Sequence, residues 1–192
     1  MAVAALLDIV ERQGAAALTA RAVADAIGYT VGTLYLAFRN IDELIMHGNA
    51  RTLIELGARM QRSAARVGTT QARVRAMGKT YIHFAQRHPE RWKLVFEHRL
   101  PEGEEIPVFY QARITALFTQ VEMALAPLLP EAAPAQIAKA ARALWGGVHG
   151  VCILGLTGKL SVTGQVTVAS LADTLIENYL HGLSSTKPGR KR

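Results

Sequence analysis

Residues 18–44, LTARAVADAIGYTVGTLYLAFRNIDEL, contain three helix starts in close succession, and they decide how the rest of the chain is read. Thr19 precedes Ala22, Val23, Ala26 and Ile27, which recur at three- and four-residue spacing, so its hydroxyl can cap a short helix with one apolar stripe. Gly28 follows the last of these and can take the left-handed conformation that closes a helix. Thr30 can cap a second short helix. There Val31, Leu34, Tyr35 and Phe38 are expected on one side, leaving Gly32, Thr33, Leu36 and Ala37 more open. Asn40 followed by Glu43 is a close relative of the capping box and opens a third helix.

Two short helices joined by a glycine turn, the second presenting small side chains at its start, suit a recognition helix laid in the DNA major groove. A plain helical hairpin would show the same pattern. The string Gly32-Thr33-Leu34-Tyr35-x-x-Phe38 adds specificity, being preceded by Leu18-Thr19-x-Arg21-x-Val23-Ala24 and followed by Asn40-x-x-Glu43-Leu44. Together these resemble the TetR family of transcriptional regulators, from residue 1 to about residue 48. Beyond that the likeness is one of architecture, although Trp145-Gly146-Gly147-Val148-His149-Gly150 resembles the Trp/His-Gly signature of one C-terminal subgroup.

The resemblance implies an all-α chain in two parts. A three-helix helix-turn-helix domain takes residues 1–47 and a ligand-binding and dimerisation domain 48–184, while the polar, basic composition of residues 185–192 marks them as a disordered tail. The resemblance further implies a homodimer formed through the last two long helices and bound to a double-stranded, pseudo-palindromic DNA operator. A small, largely apolar ligand would release it, as in a repressor. The positions carried over to DNA are Thr19, Arg21, Thr30, Val31, Gly32, Thr33, Tyr35, Leu36, Arg39 and Asn40. Arg21 can bond a phosphate or a guanine edge, and the hydroxyls of Thr19, Thr33 and Tyr35 can bond phosphate oxygens. Gly32 lets backbone come close, and Leu36 and Ala37 offer only apolar contact, for example to thymine methyls. The alternative for Tyr35 is a core tyrosine. Family members often place a phosphate-contacting lysine where this chain has Ile41, so Arg39, Asn40 or the amides of the third helix would have to substitute.

Composition bounds these expectations. At 192 residues, half of them apolar, the chain can build a sizeable core, and no segment alternates valine, isoleucine and threonine as strands do. The net charge of +7 invites a nucleic-acid partner, yet residues 1–51 carry four basic against five acidic side chains. Most of the excess lies in residues 52–99, with ten against three. Counterion release therefore gains little from the expected reading module, so helix N-termini and hydroxyls must supply more of the phosphate contacts, and DNA shape is expected to carry part of the sequence choice. Arg59, Arg62, Arg66 and Arg73 favour one helical side, read first as a solvated face. The single cysteine, Cys152, forms no internal disulfide and fits a reducing cytoplasm. The opening MAVAALLDIVERQG carries Asp8, Glu11 and Arg12 and no basic start, so it is expected to be an amphipathic helix and not a secretion signal. The most apolar window, 143–156, is too short to cross a bilayer and contains His149.

About nine helices are expected. The first runs from Ala2 to Gln13, the long one that opens at Ile41 runs to about Val67, and others span about 71–87, 89–99, 107–125, 135–157 and 167–183. An acidic loop, Pro101-Glu102-Gly103-Glu104-Glu105, separates two of them. Met77, Tyr81, Phe84, Trp92, Phe96, Phe109, Phe118 and Trp145 read individually as core, and together as the lining of an apolar cavity. His149, one turn after Trp145, is either a polar point in that cavity or a satisfied buried histidine. Nothing supports catalysis, a cofactor or a metal. His83 and His88 do not match a zinc-binding helix, the glycines form no phosphate loop, and Cys152 has no activating base. Two rivals remain at this level: a helical ligand-binding dimer without specific operator binding, and an enzyme using His149 as base.

Overall fold

The computed structural model describes residues 1–160 and 166–185, which form nine α-helices and no strand. These are α1 (Ala2–Gln13), α2 (Ala20–Ile27), α3 (Val31–Ala37), α4 (Ile41–Ala65), α5 (Thr70–Arg87), α6 (Pro89–Glu97), α7 (Val108–Leu125), α8 (Pro134–Leu156) and α9 (Val168–Ser185). Their bounds agree with the periodicity and breaker signals to within a residue or two. Of the expected basic tail, residues 186–192 lie outside the described residues. Among the described residues no helix is long and apolar enough to cross a membrane.

Packing divides the described residues into two compact units, the first made of residues 1–55 and 87–114, the second of residues 56–86 and those described from 115 onward. The first thus reaches beyond the motif-based boundary at residue 47, because α6 packs with the helix-turn-helix. Its core is Leu6, Leu7, Ile9 and Val10 from α1, Val23 from α2, Leu34 from α3, Leu44 and Ile45 from α4, and Leu94 from α6. A Cβ at Gly48 would stand 2.7 Å from Leu6 Cδ2, so the glycine lets α1 and α4 cross closely. Polar bonds fasten α6 in place. The fully buried Asn49 donates from Nδ2 to the Leu94 carbonyl at 3.2 Å, Arg91 pairs with Glu55 at 2.8 Å, and His88 meets Glu11 at 2.7 Å. At the other end of α6, His98 faces Asp42 at 3.4 Å.

In the second unit Met60, Met77, Phe84, Leu144, Val148, Cys152 and Ile176 are buried from α4, α5, α8 and α9. The Thr80 hydroxyl donates to Ser63 Oγ at 2.8 Å, joining α5 to α4. Arg75–Glu177 at 2.8 Å and Lys79–Asp173 at 3.1 Å join α5 to α9. Gly147 lies against Leu175 where α8 meets α9, and any side chain there would press on it.

Candidate DNA-reading surface and ligand cavity

The reading surface is built from three local devices. Thr19 Oγ1 accepts from the Ala22 amide at 3.0 Å and starts α2. Gly28, at φ 74° and ψ 30°, is left-handed, and its amide and that of Tyr29 return to the last α2 carbonyls, Asp25 at 3.2 Å and Ala24 at 2.9 Å. Thr30 Oγ1 accepts from the Thr33 amide at 3.1 Å and lies 3.0 Å from the Thr33 hydroxyl, which fixes the first turn of α3.

Only Leu34 of α3 is buried, with Val31 half-buried, while Gly32, Thr33, Tyr35, Leu36 and Ala37 are exposed. This corrects the expected apolar side. Tyr35 is 42% exposed, because in a helix of two turns the inward stripe narrows to Leu34, with Val31 and the following Phe38 half-buried beside it. Arg21 and Thr19 are exposed on the neighbouring α2. Asn40 Oδ1 accepts from the Glu43 amide at 2.8 Å, and the Glu43 carboxylate accepts the Arg39 amide, so the capping pair exists with its return bond displaced by one residue. Ile41 packs against the core of the first unit's reading head, the helix-turn-helix with α1 and α6, so the start of α4 offers no cation at that position.

Two contacts had no local signal. Arg39 makes an ion pair with Glu104 of the acidic loop at 3.0 Å. Phe109, expected in the cavity, stacks instead on His47 at 4.3 Å, and His47 meets Phe38 edge-on at 5.6 Å. Trp92 and Phe96 also belong to the first unit, packed on each other with ring centroids 4.8 Å apart.

The cavity of the second unit is lined by Met60, Val74, Met77, Gly78, Tyr81, Val121, Leu144, Trp145, Val148 and Ile176. Met77, Tyr81 and Trp145 are thus expected residues that reach it. His149 stands one contact away, its Nδ1 2.7 Å from the Tyr81 hydroxyl and its ring stacked 4.8 Å from Trp145. Phe118 meets Trp145 edge-on at 5.5 Å and carries the Arg142 guanidinium over its face. Phe84 is buried beneath the Arg59 guanidinium and is not among the residues that line this cavity. Burial pushes the His149 imidazole below its ordinary value, so it is neutral near pH 7. The cavity's volume is about 40 Å³, room for little more than a water molecule. A shallow apolar groove of about 460 Å³ runs along α8 and α9 between Ala143, Gly147, Val151, Leu171, Leu175 and Tyr179, and Ile153 and Leu154 of α8 are exposed. The Cys152 thiol is buried and pushed up to about 12. Among the described residues no three His, Cys, Asp or Glu side chains converge as metal ligands would.

Two family models match. That of bacterial regulatory proteins of the tetR family covers residues 3–46, and that of the tetracyclin repressor-like C-terminal domain covers residues 74–179. No curated protein matches the chain. Among solved structures, a protein of unknown function from Rhodococcus sp. RHA1 is 19% identical with a TM-score of 0.79, over 96% of this chain and 94% of that one. The transcriptional regulator FadR from Bacillus subtilis, solved with stearoyl-CoA, is 11% identical with a TM-score of 0.72, over 94% and 97%. The TetR family regulator PfmR from Thermus thermophilus is 14% identical with a TM-score of 0.63, over 94% and 97%. At these identities the likeness is one of fold.

Proposed function

The chain belongs to the TetR family of DNA-binding transcriptional regulators, and from that premise we propose that it is a homodimeric repressor released from a pseudo-palindromic operator by a small apolar ligand. The observation that carries the reading is the row of exposed groups on two capped helices joined by left-handed Gly28: Thr19, Arg21, Thr30, Gly32, Thr33, Tyr35 and Leu36. Val31 and Asn40 are half-buried beside them, and Arg39 follows at the end of α3. Hydroxyls and one arginine fix the head on phosphate oxygens, and the open face of α3 enters the major groove. Residues 1–47 read DNA, and 48–184 regulate and dimerise. The same reading places the protein in the cytoplasm, at the nucleoid.

Dimerisation is assigned to α8 and α9, whose apolar groove and exposed Ile153 and Leu154 make an apolar face for a second copy to cover. The ligand site is assigned to the cavity around Met77, Tyr81 and Trp145, with the Tyr81–His149 pair as its polar point. Release is a matter of linkage. A ligand that parts the lining favours one state of the dimer, and it weakens operator binding by its differential affinity for the two states. Helix α4 supplies Leu44 and Ile45 to the head's core and Met60 to the cavity lining, which makes it the natural lever.

A second reading, a ligand-binding dimer without specific operator binding, is favoured by the acidic balance of residues 1–51 and by Ile41, packed against the head's core. Selection from a pool of random duplexes at moderate salt separates the two. The repressor reading expects an enriched pseudo-palindrome that is lost on Arg21→Ala or Tyr35→Ala. A folded dimer that enriches nothing supports the second reading.

A further inference from the structure

Helix α3 contains no Arg, Lys, Asn, Gln, Asp or Glu, the side chains that read base edges by paired hydrogen bonds. Gly32 has no side chain, and the Thr33 hydroxyl is engaged with that of Thr30. Leu36, in contrast, is 88% exposed, more than any other large apolar side chain described. It serves no core, and it belongs to neither the cavity nor the α8 and α9 groove. An aliphatic side chain held clear of the protein on the face assigned to the major groove can recognise one feature there, the methyl group at C5 of a pyrimidine.

We infer that Leu36 is a specificity-determining residue that reads a pyrimidine C5-methyl in each operator half-site. The inference rests on the DNA-reading assignment and deepens it. Thymine presents that methyl, and 5-methylcytosine presents it at the same place in the groove, so the contact distinguishes methylated from unmethylated pyrimidine as well as thymine from uracil. Desolvating one methyl against the leucine is worth roughly a fourfold change in affinity. Two half-sites read by a dimer make it on the order of tenfold.

The test uses the full chain and the duplex enriched from the random pool. Each thymine of a half-site is replaced in turn by uracil, which removes only the methyl, and wild type is compared with Leu36→Ala. At its exposure, truncating Leu36 leaves the core untouched. The expected result is one thymine per half-site whose replacement weakens wild-type binding roughly fourfold, while Leu36→Ala binds more weakly and no longer distinguishes thymine from uracil. At that position, 5-methylcytosine opposite guanine should bind wild type better than cytosine does, by a similar factor. Wild-type affinity indifferent to every uracil replacement would overturn the inference, as would a Leu36→Ala variant that keeps the full loss. In both cases the enriched operator would leave the DNA-reading assignment standing. Failure to enrich any sequence would instead overturn that assignment, and the inference with it.

Discussion

Replacing Glu104 by Gln should strengthen operator binding and make it more sensitive to salt. Arg39 and Glu104 meet at 3.0 Å with side chains 68% and 30% exposed, so the pair is screened and stabilises the fold by at most about 1 kcal/mol. Its effect on DNA is larger, because a carboxylate beside the only cation between α3 and α4 cancels that cation's charge toward phosphate. Freed from Glu104, each Arg39 can neutralise one phosphate, which steepens the slope of log affinity against log salt by about 0.9 per head and about 1.8 for the dimer. Between about 50 and 200 mM salt the variant should therefore lose roughly a further tenfold in affinity compared with wild type. Fluorescence anisotropy of a labelled operator across that range reads the slope, and thermal unfolding checks the fold. In an Arg39→Gln background the same Glu104 substitution should leave the slope unchanged. An unchanged slope in the single variant, or an equal change in both backgrounds, would refute the argument.

Thr30→Val keeps the volume but removes the acceptor for the Thr33 amide, and should cost about 1 kcal/mol in urea unfolding. Tyr81→Phe removes the hydroxyl bonded to His149 Nδ1 inside the second unit and should cost about 1 to 3 kcal/mol; a double-mutant cycle with His149→Leu should show the two positions coupled. Burial lowers the titration of both His149 and His98, the Asp42 carboxylate only partly offsetting it at His98. The unfolded chain takes up these protons near 6.5 while the folded chain resists, so stability should be complete above that value and decline as the pH falls below it. Urea midpoints at about pH 7.5 and about pH 5.5 should differ in that sense, and by less in His149→Gln.

What could be read from the sequence was local. Thr19, Gly28, Thr30 and Asn40 act within four residues of themselves, so their spacing was enough to place α2, α3 and the start of α4. Trp145 and His149 stand one helical turn apart, and they do stack. The placement of Tyr35 on the apolar side failed because a two-turn helix leaves the edge of its apolar stripe undefined, and tertiary packing decided that edge. Trp92, Phe96 and Phe109 lie away from the cavity for a different reason. Aromatic character marks a residue for burial but does not say in which core, and Trp92, Phe96 and Phe109 are claimed by the unit that α6 and the start of α7 build around the head. The Arg39–Glu104 pair spans 65 residues of sequence, and no periodicity reports such a contact.

Net charge of residues 1–51 argues against the surface on α2 and α3, whereas exposure and capping argue for it, and the basic side chains of 52–99 offer DNA an alternative seat. Arg62, Arg66 and Arg73 of that segment are exposed. Amide hydrogen exchange, followed before and after addition of the enriched operator, distinguishes the two directly. The account predicts new protection across residues 19–40, strongest in α3. Protection confined to residues 59–73, with 19–40 exchanging as in the free protein, would contradict it.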